Sequence, residues 1–145
     1  MLRRKNNERG STLVEFAIGV TVFVTAMFAV LEFGRALWVH NALSDAARRG
    51  ARYAVLHSSG SAAQVKNIVV YGNEAGTGQP MLNDLTAANV NVVYNNFGLN
   101  DGTVSVSITG YQFQFVIPII GTTITMPSYT TTLGAESAGF IPANV

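Results

Sequence analysis

An α+β fold is predicted for this chain, a long N-terminal helix followed by a small mixed domain, and three observations predict it. Residues 11–31, STLVEFAIGVTVFVTAMFAVL, carry a single charge, Glu15, in a run long enough to cross a bilayer core, which takes about 20 helical residues. Residues 31–56 continue without proline and repeat small side chains at Ala42, Ala46, Gly50 and Ala54, one face of a helix. From residue 89 the apolar period drops to two, the spacing of strands.

The helix is expected to run unbroken over residues 11–56, about 69 Å at 1.5 Å per residue, so that roughly half lies beyond the membrane. The small-residue stripe lets another helix or a sheet approach closely. Glu32/Arg35 and Asp45/Arg49 stand at helical spacing and suit a solvated flank. Gly34 and Gly50 are the weak points, and either could mark a bend. A break at residues 57–60 follows. Ser61 with Gln64 fits a capping box, and Val65, Ile68 and Val69 form a short helix face ending at Gly72. Residues 72–85 read as a loop.

In the C-terminal part Val90, Val92 and Tyr94 alternate, a turn occupies residues 95–102, and Val104, Val106 and Ile108 alternate again. The apolar positions then shift parity to Tyr111, Phe113 and Phe115, which predicts a β-bulge near Thr109-Gly110 and an aromatic core face. A turn at residues 118–121 leads to a third strand region, residues 122–126 with 129–133, interrupted by Pro127. Three antiparallel strands are too few to stand alone, and the stripe at Ala42, Ala46, Gly50 and Ala54 is the expected cover. An exposed sheet edge is the expected place for a partner to pair. The resulting division is a leader at 1–10, a transmembrane and spine helix at 11–56, a linker at 57–60 and a small α+β domain at 61–145.

Charge and composition narrow the function. Of the 145 residues 48% are hydrophobic and 12% charged, and cysteine is absent, which excludes disulfides, thiol catalysis and Cys-based zinc sites. The net charge of +1 is unevenly spread: Arg3, Arg4, Lys5 and Arg9 crowd the first ten residues and no Lys or Arg follows Lys66. Without residues 1–10, five basic residues face seven acidic ones, a net of −2. Nucleic acid is therefore not an expected partner. Glu74, Asp84, Asp101 and Glu136 stand singly, with no base or nucleophile at a recognisable spacing, so an enzyme is not expected. His40 and His57 read as a helix-surface and a helix-end residue rather than metal ligands. No metal or cofactor is expected.

The N-terminus admits three readings. A cleaved secretory signal needs a small-residue site after the apolar run, and the best candidate, Ala29, has Met27 two places before it. A plain signal anchor leaves Glu15 unexplained, unless its carboxylate snorkels to the headgroups. In a prepilin-type anchor, Gly10 ends a basic leader, Ser11 becomes the new N-terminus and Glu15 lies four residues beyond. Orientation is not decided by charge: Arg35, Arg48, Arg49 and Arg52 follow the span as four basic residues precede it. Arg9, which abuts the span, favours the N-terminus inside.

The runs GSTLVEFA and EFGRALWVHNALSDAARRGARYA resemble the TadE-like family of minor pilins (pseudopilins) of tight-adherence, type IVb (Flp) pilus systems. The likeness covers residues 9–56, and its most specific parts are VEFA at 14–17, EFGR at 32–35 and AARRGARYA at 46–54. It implies that a prepilin peptidase, a membrane aspartyl protease, cuts between Gly10 and Ser11. The product would stay in the bacterial inner membrane or enter the pilus, with its C-terminal domain in the periplasm. In an assembly, Glu15 of an incoming subunit would neutralise the Ser11 amine of its neighbour. The implied partners are the peptidase, other pilins and minor pilins, inner-membrane assembly proteins and the lipid bilayer. Many members carry a proline in mid-span; Gly19-Val20-Thr21 stands there in this chain, leaving straight and kinked helices both open. The competing reading is a single-pass anchored periplasmic binding or scaffold protein.

Overall fold

The computed structural model describes residues 7–57, 59–96, 102–116 and 123–134. Helix α1, Asn7–Leu56, runs without interruption for 50 residues, starting four residues before the expected boundary and passing straight through Gly34 and Gly50. The apolar segment has the length and composition to cross a membrane, and none of that window is buried within the chain. It is therefore not a core helix of this protein, and it is compatible with single-pass membrane anchoring. Thr21 and Thr25 donate their hydroxyls to the carbonyls of Ala17 and Thr21, each at 2.8 Å, so both side chains are satisfied inside the helix, as an apolar surrounding demands.

Beyond the apolar run α1 becomes part of a core. Val39, Leu43, Ala46, Ala47, Gly50, Ala51 and Ala54 are buried and Ala42 half-buried, a wider band than the four-residue stripe alone. A 3₁₀ turn at Ser59–Ser61 leads to α2, Ala62–Tyr71. Ser61 is its N-cap but its side chain makes no capping bond, so the expected capping box does not form. The other end is as expected: Gly72 takes a left-handed φ of 74° and its N–H returns to the Ile68 carbonyl at 3.1 Å, a glycine C-cap.

The strands are β1 (Val90–Asn95), β2 (Thr103–Ile108), β3 (Gln112–Gln114), β4 (Thr123–Thr125) and β5 (Tyr129–Gly134). They form an antiparallel sheet in the order β1-β2-β5 and a separate hairpin β3-β4. In register, Val106 of the central strand lies between Val92 and Thr131, and Ile108 between Val90 and Tyr129. Both predicted alternations thus point to one side, and Val104, Val106 and Ile108 are fully buried against α1 and α2. The opposite side is polar, with Ser105 and Thr132 hydroxyls 2.6 Å apart. One packed and one wet face is the usual solution for an antiparallel sheet.

Two expectations are corrected. There is no bulge at Thr109-Gly110: the chain leaves β2 there through Gly110, whose φ is +68°, and enters the second sheet. The parity shift marks this change of sheet. The single third strand region is in fact two strands, β4 and β5, which belong to different sheets on either side of Pro127. The turn expected at 118–121 lies outside the described residues. The loop after α2 holds a further surprise. It supplies two core residues, Leu82 and Leu85, and is pinned by the Met81 N–H on the Val70 carbonyl at 2.8 Å and the Tyr111 hydroxyl on the Asn83 carbonyl at 2.9 Å.

Candidate functional site

Gly10, Ser11 and Glu15 are exposed on the first turns of α1. Ser11 and Glu15 are one turn apart and share a face, where Gly10, Ser11, Val14, Glu15 and Ile18 line one shallow surface. Glu15 has no hydrogen bond or ion pair among the described residues. Gly10 is equally unaccounted for among them. A Cβ added there meets nothing within 4 Å, yet a glycine in a helix costs about 1 kcal/mol relative to alanine. Packing does not demand it.

Gly50 is the opposite case. A Cβ there would stand 2.4 Å from Val69 Cγ2 and 3.3 Å from Val106 Cγ1, both on fully buried valines. At Gly50 the small-residue stripe therefore serves this chain's own α2 and β-sheet, while Ala42 and Ala46 also border an open groove.

A second constellation joins the helix to the hairpin just past the apolar run. Glu32 is buried, and it accepts from Arg35 at 2.9 Å and from the Val116 N–H at 3.4 Å. Arg35 also donates to the Gln114 carbonyl and lies over the Phe113 ring, 4.2 Å from its centroid. Phe113 meets Phe115 edge-on at 5.2 Å. The pair expected on a solvated flank is instead a clamp on β3. The helical spacing of Glu32 and Arg35 was visible in the sequence; the strand they hold, some 80 residues away, was not. No ion pair joins Asp45 to Arg49. The Arg49 guanidinium turns to the Met81 sulfur at 3.3 Å, beside an open groove of about 510 Å³ whose walls include Trp38, Asn41, Asp45 and Leu82.

The Arg35 hydrogen bonds outweigh burial, and with the Val116 amide they hold the Glu32 carboxyl below its ordinary value of 4.5. A lowered folded pKa contributes stability that is complete above the unfolded value and is lost as pH falls through the folded one. The thermal midpoint of the detergent-solubilised chain is therefore expected to be insensitive to this pair from pH 7 to 5 and to fall below about pH 4.5. Glu32→Gln should make that acid limb shallower, since an amide does not titrate; an unchanged limb would refute the clamp's part in it.

His40 is exposed on the helix surface, and its Nδ1 lies 2.8 Å from the Tyr129 hydroxyl, which ties α1 to β5. His57 caps the helix end, donating from Nδ1 to the Tyr53 carbonyl at 2.8 Å and stacking on that ring at 3.8 Å. Among the described residues no cluster of His, Cys, Asp or Glu is arranged to hold a metal ion. Asp84 accepts from Gln114 at 3.0 Å, while Asp101 and Glu136 lie outside the described residues.

A comparison with protein families matches residues 10–52 to a family described as TadE-like protein. The matched stretch runs from the glycine junction to Arg52 and coincides with the segment whose motifs resemble that family. A TadE-like segment suggests involvement in a tight-adherence pilus system and partners drawn from one. No curated protein and no solved structure gives a significant match to the chain.

Proposed function

We propose that this chain, whose N-terminal helix is TadE-like, is a minor pilin (pseudopilin) of a type IVb tight-adherence pilus, a structural rather than catalytic subunit acting in pilus assembly or initiation. Residues 1–10 are the leader removed by a prepilin peptidase between Gly10 and Ser11. The span then holds the subunit in the inner membrane, N-terminus cytoplasmic and the α+β domain periplasmic. The observation that carries this reading is the pairing of an exposed glycine that packing does not require with a carboxylate, unpartnered among the described residues, one turn beyond Ser11. Both are costs to the isolated chain, and both have a use once a protease reads the glycine and a neighbour's Ser11 amine meets Glu15. In an apolar surrounding that charge pair is far stronger than in water.

Mass spectrometry of the protein from cells with and without the peptidase tests it. Loss of residues 1–10 only when the peptidase is present is the expected result. An intact leader in both would leave the competing reading, an anchored binding or scaffold protein, whose natural site would be the Trp38–Arg49 groove. Gly10→Leu should abolish processing. Glu15→Ala should leave cleavage intact and reduce recruitment into the assembly severalfold; undiminished piliation in that variant would count against the pairing role.

A further inference from the structure

Membrane geometry places the β3–β4 hairpin as well as the helix. The hydrocarbon core is about 30 Å thick and the headgroup layers bring the bilayer to about 40–45 Å, so each interfacial layer is roughly 5–7 Å deep, or about four helical residues. With a span ending at Leu31, Glu32 and Arg35 lie in that layer. They fix the hairpin at the same depth through the Val116 N–H, 3.4 Å from Glu32 Oε2, and the Gln114 carbonyl, bonded by Arg35. The Val116 side chain at that level is 75% exposed, as are 66% of Phe33 on the helix and 44% of Ile124 on β4. No charged residue lies between Asp101 and Glu136, so neither strand resists an apolar neighbour.

We propose that the β3–β4 hairpin is a second membrane contact, resting the exposed Val116 and Ile124 side chains against lipid in the interfacial layer of the leaflet from which α1 emerges. The occupant is lipid because Glu32 and Arg35 hold this uncharged hairpin level with the end of the apolar run, where Phe33 is also exposed. Hairpin pairing satisfies one edge of each strand, and the interfacial layer, unlike the hydrocarbon core, offers water to the other. The Glu32 carboxylate is likewise shielded there by Arg35. The helix and domain, one body, are thereby seated on the membrane at two points, which fixes their tilt against the bilayer. This inference rests on the membrane-anchored reading above.

The absence of cysteine makes the test clean. Single-cysteine variants Val116→Cys, Val22→Cys and Ala75→Cys of the full chain carry an environment-sensitive fluorophore. They are reconstituted at high dilution in phosphatidylethanolamine–phosphatidylglycerol vesicles containing nitroxide lipids. Val22 reports the span, and Ala75, next to Glu74 at the Tyr53 end of α1, reports the far side of the domain. The Val116 probe should be quenched several-fold more than the Ala75 probe, chiefly by nitroxides near the headgroups, while Val22 responds to deep ones. Quenching at Val22 with none at Val116 overturns the hairpin contact and leaves the anchor standing. Blue-shifted Val116 emission without lipid quenching means that protein covers the surface, and also overturns it. An unquenched Val22 overturns the anchor and the hairpin contact together.

Discussion

Gly50→Leu is expected to lower the stability of the C-terminal domain by about 3 kcal/mol, the upper end of what overpacking a close-packed core costs. Even a single added carbon would stand 2.4 Å from Val69 Cγ2, and leucine adds three more. Val69 cannot yield easily, because a β-branched side chain has few rotamers and this one is fully enclosed. Moving α2 outward would strip Val65 and Val69 from the sheet together. Gly50→Ala should cost less, since it recovers about 1 kcal/mol of helix propensity against a smaller clash. A small domain has only about 5 kcal/mol to lose, so the leucine variant should be largely unfolded in mild denaturant. The measurement is the urea midpoint of the detergent-solubilised full chain, followed by near-UV circular dichroism. A midpoint unchanged from the parent would mean that α1 and α2 are farther apart than described.

Phe113→Ala is the second large effect, expected at about 3–5 kcal/mol for deleting a buried aromatic ring. Phe113 heads the largest fully buried side chains of the domain and is 1% exposed. It also underlies the Arg35 guanidinium, a contact worth about 0.5–2 kcal/mol of its own. Among the described residues the hairpin has few other polar holds on the body of the protein: the Glu32–Val116 and Arg35–Gln114 contacts, the Gln114–Asp84 bond, and, at its base, the Tyr111 hydroxyl on the Asn83 carbonyl. The loss should therefore appear as fast hydrogen exchange in β3 and β4 before the three-stranded sheet is affected. Phe113→Leu keeps most of the volume and should lose the cation–π contact while retaining slow exchange. Equal protection in the alanine variant would show that the ring does not hold the hairpin.

The elements legible in the sequence were those whose signal is local. An apolar run, a four-residue spacing of small side chains and two stretches of strict alternation each declare their own period, so α1, α2, β1 and β2 stand where they were expected. The same holds for Gly72, because a left-handed helix end favours glycine whatever surrounds it. What stayed hidden depends on tertiary partners. The parity change after Ile108 is compatible with a bulge in one sheet or a crossing to another, and only the pairing of Phe113 with Ile124 decides between them. Leu82 and Leu85 sit in a segment of loop composition, and two leucines without periodicity do not announce burial. Arg35 resembled any solvated helical arginine until Phe113 arrived beneath it. Gly10 and Glu15 stand out for a different reason. Each breaks a local rule, and the described residues supply neither with a compensating contact.

The clamp, the stripe and the anchor all belong to one helix, and this has a mechanical consequence. On the pilin reading proposed above, a subunit with a separate stalk and head could yield at the joint when the filament is pulled. Here residues 39–54 of the same rod that carries the apolar run are the floor of the domain core, so no such joint lies between them. Tension on the N-terminal end arrives as shear along the face shared by α1, α2 and the sheet, spread over many side chains at once. Glu32 and Arg35 are the first of those contacts to feel the load. The fold therefore transmits force as a single stiff member from its apolar end to the strands packed on α1.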